Sequence, residues 1–216
     1  MTMSRAVDPL LVVILLLNFL LLGSSRLRAV INGTAAQGAA LGALLIAVHA
    51  ELTWHTLLIA AVTVALKAVL IPGMLHRAMR DAAIRREVEP LVGFIPSLLL
   101  GGVGTGAALL FANTLPLAPQ HVGTLLVSAS LSTVLTGFLL LTTRRKAITQ
   151  VTGYLILENG VFIMGLLLVE AMPFLVELGA LLDLLVAIFV MGIIINHINR
   201  EFSSLDTARL TALKEE

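Results

Sequence analysis

Apolar residues fall in long stretches along the chain, and each stretch is bounded by charged residues or by Gly and Pro clusters. About 20 apolar residues suffice for a helix to cross the hydrocarbon core of a bilayer. The pattern predicts transmembrane helices near residues 8–25, 30–48, 53–75, 91–113, 121–142, 151–170 and 174–196. We therefore expect an all-α fold, a polytopic membrane helix bundle of about seven transmembrane helices.

The composition points in the same direction. Of the 216 residues, 58% are hydrophobic and 12% are charged, whereas a soluble domain has about 25% charged residues. A soluble globule of this composition is excluded. Seven spans of about 20 residues occupy about 140 residues, and the remaining loops are too short for a soluble catalytic domain. Residues 1–216 are therefore predicted to form a single integral membrane domain.

Basic residues predict the orientation, because Lys and Arg collect in the cytoplasmic loops of membrane proteins. Twelve of the fourteen basic residues fall in the first, third and fifth loops and in the segment after the last predicted span, which includes the tail at 201–216. This alternation predicts an N-terminus outside the cell and a C-terminus in the cytoplasm. The cytoplasmic tail is either a solvated end or a dock for a soluble partner protein. The twelve residues are Arg26, Arg28, Arg77, Arg80, Arg85, Arg86, Arg144, Arg145, Lys146, Arg200, Arg209 and Lys214.

Several classes of function are excluded by the composition. The formal charge is +1 and there is no long run of Lys or Arg, which argues against nucleic acid as a partner. The absence of Cys excludes disulfides, iron–sulfur ligation and thiol catalysis by this chain. The five His residues show no metal-binding spacing. We therefore predict no metal site, no bound cofactor and no catalytic residue.

A glycine-rich segment at residues 101–106 is superficially similar to a phosphate-binding loop. It follows no strand and lies in the middle of an apolar stretch, so we reject nucleotide binding. Gly102 and Gly106 in this segment are four residues apart, as are Gly38 and Gly42 in the second span. This spacing lets helix backbones approach each other closely, so we expect both pairs to pack against neighbouring helices.

Three ionisable residues, Lys67, Glu158 and Asp183, lie within predicted spans. A charged side chain at the centre of a bilayer costs about 3 kcal/mol on insertion scales. From the helical rise, Glu158 lies about 10 Å and Lys67 about 12 Å from the inner ends of their spans, so we expect them at a similar depth. Asp183 lies nearer the middle of the last span, about 13 Å from its outer end.

Two interpretations of these three residues are open. In the first, they form a structural ion pair or hydrogen bond that fixes helix register. In the second, they form a proton relay, because a carboxyl group in a low-dielectric site can alternate between neutral and charged forms, and a neighbouring Lys biases that equilibrium. Asn159 and a row of Ser and Thr residues in the fifth span would be polar neighbours of such a relay. Asn18 in the first span is expected to form an interhelical hydrogen bond.

The sixth predicted span contains the string Gly153-Tyr-Leu-Ile-Leu-Glu158-Asn-Gly-Val-Phe-Ile-Met-Gly165. This string resembles the membrane protein known as component E in hydrogenase-4 and formate hydrogenlyase-type complexes, and the seven-span length of that family fits nearly the whole chain. The last three spans, at 121–142 and within 143–200, also resemble the small NuoK-type subunit of respiratory complex I and the MrpC subunit of cation/proton antiporters.

The resemblance to the NuoK type assigns two carboxylates. The second of its three helices carries a Gly-Leu-Glu motif, whose glutamate is matched by Glu158. Its third helix carries another glutamate. Alignment at the ending Ile193-Ile-Ile-Asn-His197 places that glutamate near Val186, about one turn from Asp183. Asp183 is therefore matched to it as an Asp for a Glu, with a shifted register. Lys67 lies outside the three shared helices.

The resemblance implies a non-catalytic membrane subunit of an oxidoreductase complex, either a group 4 nickel–iron hydrogenase or a complex I-related assembly. Its partners would be the lipid bilayer, other membrane subunits that include antiporter-like ones, and a soluble redox arm bound to the cytoplasmic loops and tail. Its location would be the bacterial or archaeal cytoplasmic (inner) membrane. In this hypothesis Glu158 and Asp183 load and release protons while Lys67 tunes them. A purely structural anchoring subunit and a free-standing small ion transporter are the alternatives.

Overall fold

The computed structural model of the chain describes residues 4–48, 53–81, 88, 90–116 and 124–167. Every regular element in this part of the chain is helical. The elements are α1 (Ser4–Gly23), α2 (Leu27–Val48), α3 (Trp54–Val64), a π-helical segment (Ala65–Leu70), α4 (Ile71–Asp81), α5 (Phe94–Ala112), α6 (Leu126–Thr143) and α7 (Ala147–Leu166).

Six helical spans among the described residues are long and apolar enough to cross a membrane. The third span consists of α3, the π segment and α4, which follow one another without a break. These six spans confirm the first six predicted helices, although the third continues to Asp81, beyond its predicted end at residue 75. The described part of the chain is thus a multi-pass membrane bundle. The predicted seventh span at 174–196, with Asp183, and the tail at 201–216 lie outside the described residues.

Two helical hairpins form the centre of the bundle. The α1–α2 hairpin packs against the α6–α7 hairpin, with α1 on α6 and α2 on α7. On the outside, α5 packs against α1 and α6, and the third span packs against α2. This packing of α1, α2, α6, α7 and the third span brings polar side chains from different spans together.

The backbones of α6 and α7 lie in direct contact, because glycines occupy the positions where the two helices meet. A Cβ added to Gly137 would collide with the backbone nitrogen of Leu157 and lie 2.7 Å from the carbonyl oxygen of Gly153. The Ser130 hydroxyl donates to the carbonyl of Gly160 at 2.9 Å, which joins the same two helices. Small residues and interhelical hydrogen bonds of this kind are what hold helices together in lipid, where hydrophobic burial gives no preference between protein and acyl chains.

The buried apolar residues form two separate clusters, one toward each end of the bundle. One cluster lies at the end of the bundle where a loop joins α1 to α2 and another joins α6 to α7, and we call it the loop-end cluster. It contains Leu21, Ile31, Ile71, Leu140 and Ile156 among its members. The opposite cluster, which we call the far cluster, contains Ile14, Ala40, Ala60, Ala129 and Ile163 among its members. The spans that contain α1, α2, α3, α6 and α7 each contribute residues to both clusters, and the part of each span between the clusters is not apolar core.

The glycine pair predicted to pack on α5 does not contact the bundle. A Cβ placed on Gly102 or Gly106 meets no described atom within 4 Å. Instead Gly101 faces α1, where its Cβ would collide with the Leu22 side chain. The spacing of four residues places two glycines on one face of a helix, but it does not specify which face packs, and α5 has glycines on both faces.

Three loops meet at one end of the bundle, and we call their meeting point the loop junction. The loop before α5 is tied by backbone hydrogen bonds to the loops that follow α1 and α6. The contacts are the Val88 N–H to the Ser25 carbonyl (2.8 Å), the Leu91 N–H to the Thr143 carbonyl (2.7 Å) and an antiparallel bridge between Pro90 and Arg144. The loops are therefore a packed cap on this end of the bundle.

Candidate functional site

Lys67 and Glu158 form an ion pair inside the bundle. The Lys67 Nζ lies 3.1 Å from the Glu158 Oε1, and the two residues are only 9% and 7% exposed. They are 91 residues apart in the chain, so tertiary packing alone brings them together. The expectation that they share a depth is confirmed. Asp183, the third predicted site residue, lies outside the described residues.

Local backbone geometry places Lys67 at this position. Lys67 lies within the π segment, where the Ile71 N–H donates to the Leu66 carbonyl five residues back. A π segment widens the turn and is frequent at functional sites. The opposite helix is also adapted, because a Cβ on Gly38 would lie 2.7 Å from the Lys67 Cβ. Gly38 therefore packs directly against the backbone that carries Lys67, as predicted for the Gly38 and Gly42 pair.

A single turn of α7 supplies three groups to the Lys67 ammonium. Besides Glu158, the Asn159 Oδ1 accepts a hydrogen bond from Nζ at 3.3 Å. The ring of Phe162 lies 5.6 Å from Nζ, which is within the range of a cation–π contact. Phe162 follows Glu158 by four residues, so the two side chains share one face of the helix. The charge of Lys67 is thus compensated by a carboxylate, an amide oxygen and an aromatic face.

Three amide side chains continue from Lys67 across the bundle, and we call Asn159, Gln37 and Asn18 the amide chain. The Asn159 Nδ2 donates to the Gln37 Oε1 at 3.4 Å, and the Gln37 Nε2 donates to the Asn18 Oδ1 at 2.7 Å. The Asn18 Nδ2 then donates to the Thr133 hydroxyl at 2.9 Å, and Thr133 donates to a carbonyl of its own helix. All of these side chains are buried. The expected interhelical hydrogen bond of Asn18 is therefore confirmed.

All hydrogen bonds of the amide chain run in one direction, from donor to acceptor. An ammonium group has donors and no acceptor, so Asn159 presents its oxygen to Lys67 and its nitrogen to Gln37, and each following amide repeats this order. Every amide therefore turns its negative end toward the Lys67 ammonium. Side-chain amides are not among the groups that titrate near neutral pH. The amide chain is consequently not itself a path for protons.

These residues together form a polar layer between the two apolar clusters. Along α1, Asn18 lies between Ile14 of the far cluster and Leu21 of the loop-end cluster. The same order holds in the other central spans, where the layer residue is always flanked by members of both clusters. The polar layer is therefore separated from both ends of the bundle. Its members are Asn18, Gln37, Lys67, Thr133, Glu158 and Asn159.

Sequence reasoning identified most of the polar layer but missed Gln37. The available signal was an amide in the middle of the second apolar span, the same signal that singled out Asn18. The hydroxyl row of α6 was expected to border a hydrated path. In the structure Ser130 bonds to α7, Thr133 bonds within α6 and to Asn18, and Ser132 bonds to Thr105 of α5 at 2.7 Å. These three hydroxyls serve helix packing.

A second buried cation, Arg144, lies at the loop junction. One guanidinium nitrogen donates to the Val92 carbonyl and the other to the Leu22 carbonyl, both at 2.9 Å. Its guanidinium carbon lies 5.3 Å from the centre of the Phe94 ring, and the residue is 1% exposed. Burial lowers the pKa of Arg144 from its usual value, but an arginine remains charged in proteins. The sequence indicated only an orientation signal at this position.

The described residues contain no group of three or more His, Cys, Asp or Glu side chains that could hold a metal ion. What the site offers chemically is one carboxylate that can bind a proton and one ammonium beside it. Protonation of Glu158 would change the net charge of the pair from zero to +1. Among the described residues of the polar layer, Glu158 is thus the group whose protonation would change the charge.

Comparison with known proteins gives two kinds of similarity. The uncharacterized protein Rv0085 of Mycobacterium tuberculosis is 34% identical over 206 residues, which cover 94% of this chain and 93% of that protein. Hydrogenase-4 component E of Escherichia coli (strain K12) and that of Shigella flexneri are each 35% identical over 88 residues, which cover 41% of this chain and 41% of each relative. No family model and no solved structure matches the chain.

Proposed function

The chain belongs to the family of the uncharacterized protein Rv0085 of Mycobacterium tuberculosis, and we propose that it is a membrane subunit of a hydrogenase-type complex. Two observations support the proposal. The chain is similar to hydrogenase-4 component E over 88 residues, and its described part consists of six apolar spans and the loops between them. The oxidoreductase chemistry would then belong to partner subunits.

The role proposed for this subunit is proton translocation, and the ion pair of Lys67 and Glu158 is the observation that carries it. Lys67 is held in place by the amide chain as well as by Glu158. Glu158 can therefore take up a proton while Lys67 stays in position. When Glu158 is protonated, the pair gains a net positive charge, which favours release of the proton again. The pair can therefore exist in two charge states, and a proton relay in a membrane requires such a group.

The same proposal includes a second carboxylate for proton transfer, the membrane in which the complex lies and the partner subunits. Asp183, near the middle of the predicted seventh span, is the second carboxylate, equivalent to the second glutamate of NuoK-type subunits. The complex lies in the bacterial or archaeal cytoplasmic membrane, with antiporter-like subunits as neighbours. Its soluble redox arm binds the basic loops and the tail at 201–216. Formate hydrogenlyase-type assemblies provide the functional analogy.

The test is to replace Glu158 with Gln in the full complex. Gln keeps an oxygen that accepts from Lys67 but cannot bind a proton near neutral pH. The complex is purified in mild detergent, its subunits are identified by mass spectrometry, and proton translocation per assembled complex is measured in vesicles. We expect assembly to persist and translocation to fall at least tenfold, which corresponds to about 1.4 kcal/mol.

The matched control is Asp8→Asn, which makes the same carboxylate-to-amide change outside the polar layer. Asp8 accepts a hydrogen bond from the Leu125 N–H at 3.3 Å, and Asn retains that acceptor. Full translocation by this control and loss by Glu158→Gln would support the relay. Normal translocation in an assembled Glu158→Gln complex would refute it.

The same ion pair also supports a second function, that of a purely structural anchoring subunit. Lys67 and Glu158 join two spans that are distant in the chain, so the pair fixes their register. This function predicts a lower yield of complex for Glu158→Gln with unchanged activity per complex. A free-standing transporter, in contrast, would purify as a lone chain or homo-oligomer, without hydrogenase-like subunits.

A further inference from the structure

Two arginines lie at the membrane boundary on neighbouring spans. Arg28 is the second residue of the span Leu27–Val48, and Arg80 is the last residue of the span Thr56–Arg80. Both side chains are exposed. Because one residue begins its span and the other ends its span, both lie at the same side of the bilayer.

A hydrogen bond one helical turn deeper fixes the two arginines relative to each other. His76 Nε2 and Asn32 Oδ1 are 2.8 Å apart, which joins α4 to α2. Asn32 follows Arg28 by four residues and His76 precedes Arg80 by four residues, so each arginine lies on the same face as its partner in this contact. The helices run in opposite directions here. Arg28 and Arg80 therefore stand side by side, and the charges of both act on the His76 ring.

Arg28 and Arg80 place two positive charges side by side at the membrane boundary. Two like charges placed side by side repel each other, and an anion held between them removes that repulsion. A phosphate group matches two guanidinium forks, which donate pairs of parallel hydrogen bonds.

The surface below the arginines suits an acyl chain. On the face of α4 that carries Arg80 and His76, the next residue toward the bilayer interior is Gly73, which is exposed and whose Cβ position meets no described atom within 4 Å. Val69 follows on the same side and is 66% exposed. An open, apolar strip thus leads from the two arginines into the hydrocarbon region.

We propose that Arg28 and Arg80, with His76 between them, bind the headgroup phosphate of an anionic phospholipid, whose acyl chain lies along Gly73 and Val69. This site is independent of the polar layer and of the function proposed for it. Any juxtamembrane basic residue strengthens binding to anionic lipid about fivefold, and hydrogen bonds from both guanidinium groups to one phosphate add to this general attraction.

The test uses native mass spectrometry of the full chain, purified in mild detergent and titrated with phosphatidylglycerol or with phosphatidylcholine. The variant is Arg28→Gln with Arg80→Gln. The control is Arg26→Gln with Arg145→Gln, which removes the same charge from two exposed residues that do not flank the His76–Asn32 contact. We expect the variant to bind phosphatidylglycerol at least about tenfold more weakly than the control. Both lose the general attraction of two juxtamembrane charges, but only the variant loses the charge-assisted hydrogen bonds to the phosphate.

Three results would overturn the proposal. Equal weakening in the variant and the control would indicate diffuse surface charge. Equal binding of phosphatidylcholine and phosphatidylglycerol by the parent chain would show that no anionic headgroup is selected. Displacement of phosphatidylglycerol by millimolar inorganic phosphate would assign the arginines to a free anion. Retention of the lipid in the presence of phosphate would support the lipid as the ligand.

Discussion

Lys67 and Arg144 are two buried cations whose partners differ in one respect. Each has an aromatic ring close to its charge, Phe162 at 5.6 Å and Phe94 at 5.3 Å. Arg144 donates hydrogen bonds to two backbone carbonyls, whereas Lys67 donates to a carboxylate and an amide oxygen. Backbone carbonyls have a fixed dipole, but a carboxylate can take up a proton. Both sites thus compensate a buried positive charge, but the partner of Lys67 can bind a proton and the partners of Arg144 cannot.

The two cations also lie in different parts of the bundle. Arg144 lies at the loop junction, where it joins the end of α1 to the loop before α5. Lys67 lies in the polar layer, between the two apolar clusters. A charge that never changes is suited to holding loops together. A charge with a titratable partner, isolated within the bundle, is suited to a step in proton transfer. Substitutions at the two sites test this difference, because one cation is bound by backbone carbonyls and the other by a carboxylate that can be protonated or removed.

The largest effect is expected for Lys67→Met. The substitution leaves the Glu158 carboxylate buried without its cation, and loss of one partner of a buried ion pair costs about 3–5 kcal/mol. The double variant Lys67→Met with Glu158→Gln carries no charge in the polar layer and should lose much less. Unfolding of the purified chain by denaturing detergent, followed by circular dichroism, measures both values. Equal losses in the single and double variants would show that the buried charge is not the cause.

A smaller loss is expected for Arg144→Leu. The Leu22 carbonyl would remain buried without this donor, at a cost of about 1–3 kcal/mol. The Val92 carbonyl is only partly buried and keeps a hydrogen bond from the Ser97 hydroxyl at 3.3 Å, so a total loss of about 1–3 kcal/mol is expected. Because the partners are backbone groups, no second substitution that removes a carboxylate should restore stability, in contrast to Lys67→Met. Arg145→Leu, at the exposed neighbouring position, is the control and should change the free energy of unfolding by less than about 0.5 kcal/mol. A similar loss in both variants would contradict a stabilising role for the hydrogen bonds of Arg144 at the loop junction.

The contrast between the two cations also shows what could be predicted from the sequence. Spans are set by runs of apolar residues, a local property, and six of them were predicted, although the third continues past its predicted end. Lys67 and Glu158 could be placed at a similar depth because helical rise converts residue number into distance. Charges inside an apolar run are conspicuous in a sequence, so this pair was found without a structure.

Other features depend on contacts between distant segments. The π segment forms where the backbone of Lys67 meets Gly38 of another span, and a hydrophobicity pattern contains no such signal. Arg144 resembles any loop arginine in the sequence, and its burial arises only because three loops meet around it. Gln37 was overlooked because an uncharged amide costs less in a span than a charge and is less conspicuous. These features come from tertiary packing rather than from local sequence.

The smallest of the three effects is expected for Gln37→Leu, which interrupts the amide chain and leaves the ion pair in place. Interhelical hydrogen bonds in membranes contribute about 0.6 kcal/mol on average and up to about 1.7 kcal/mol, so a loss of about 1 kcal/mol is expected for the two bonds. Thr34→Val is the matched control, because Thr34 is a buried residue of the same helix whose hydroxyl bonds to its own helix at the Val30 carbonyl.

The decisive comparison adds Gln37→Leu to the background in which Lys67 is already Met. If the amide chain stabilises the bundle mainly by orienting its dipoles toward the ammonium, its interruption should cost less once the ammonium is gone, and the two substitutions should not be additive. Additive losses of stability would instead mean that the amides act only as interhelical bonds. In that case the orientation of the Gln37 and Asn18 amides would not contribute to holding the Lys67 ammonium.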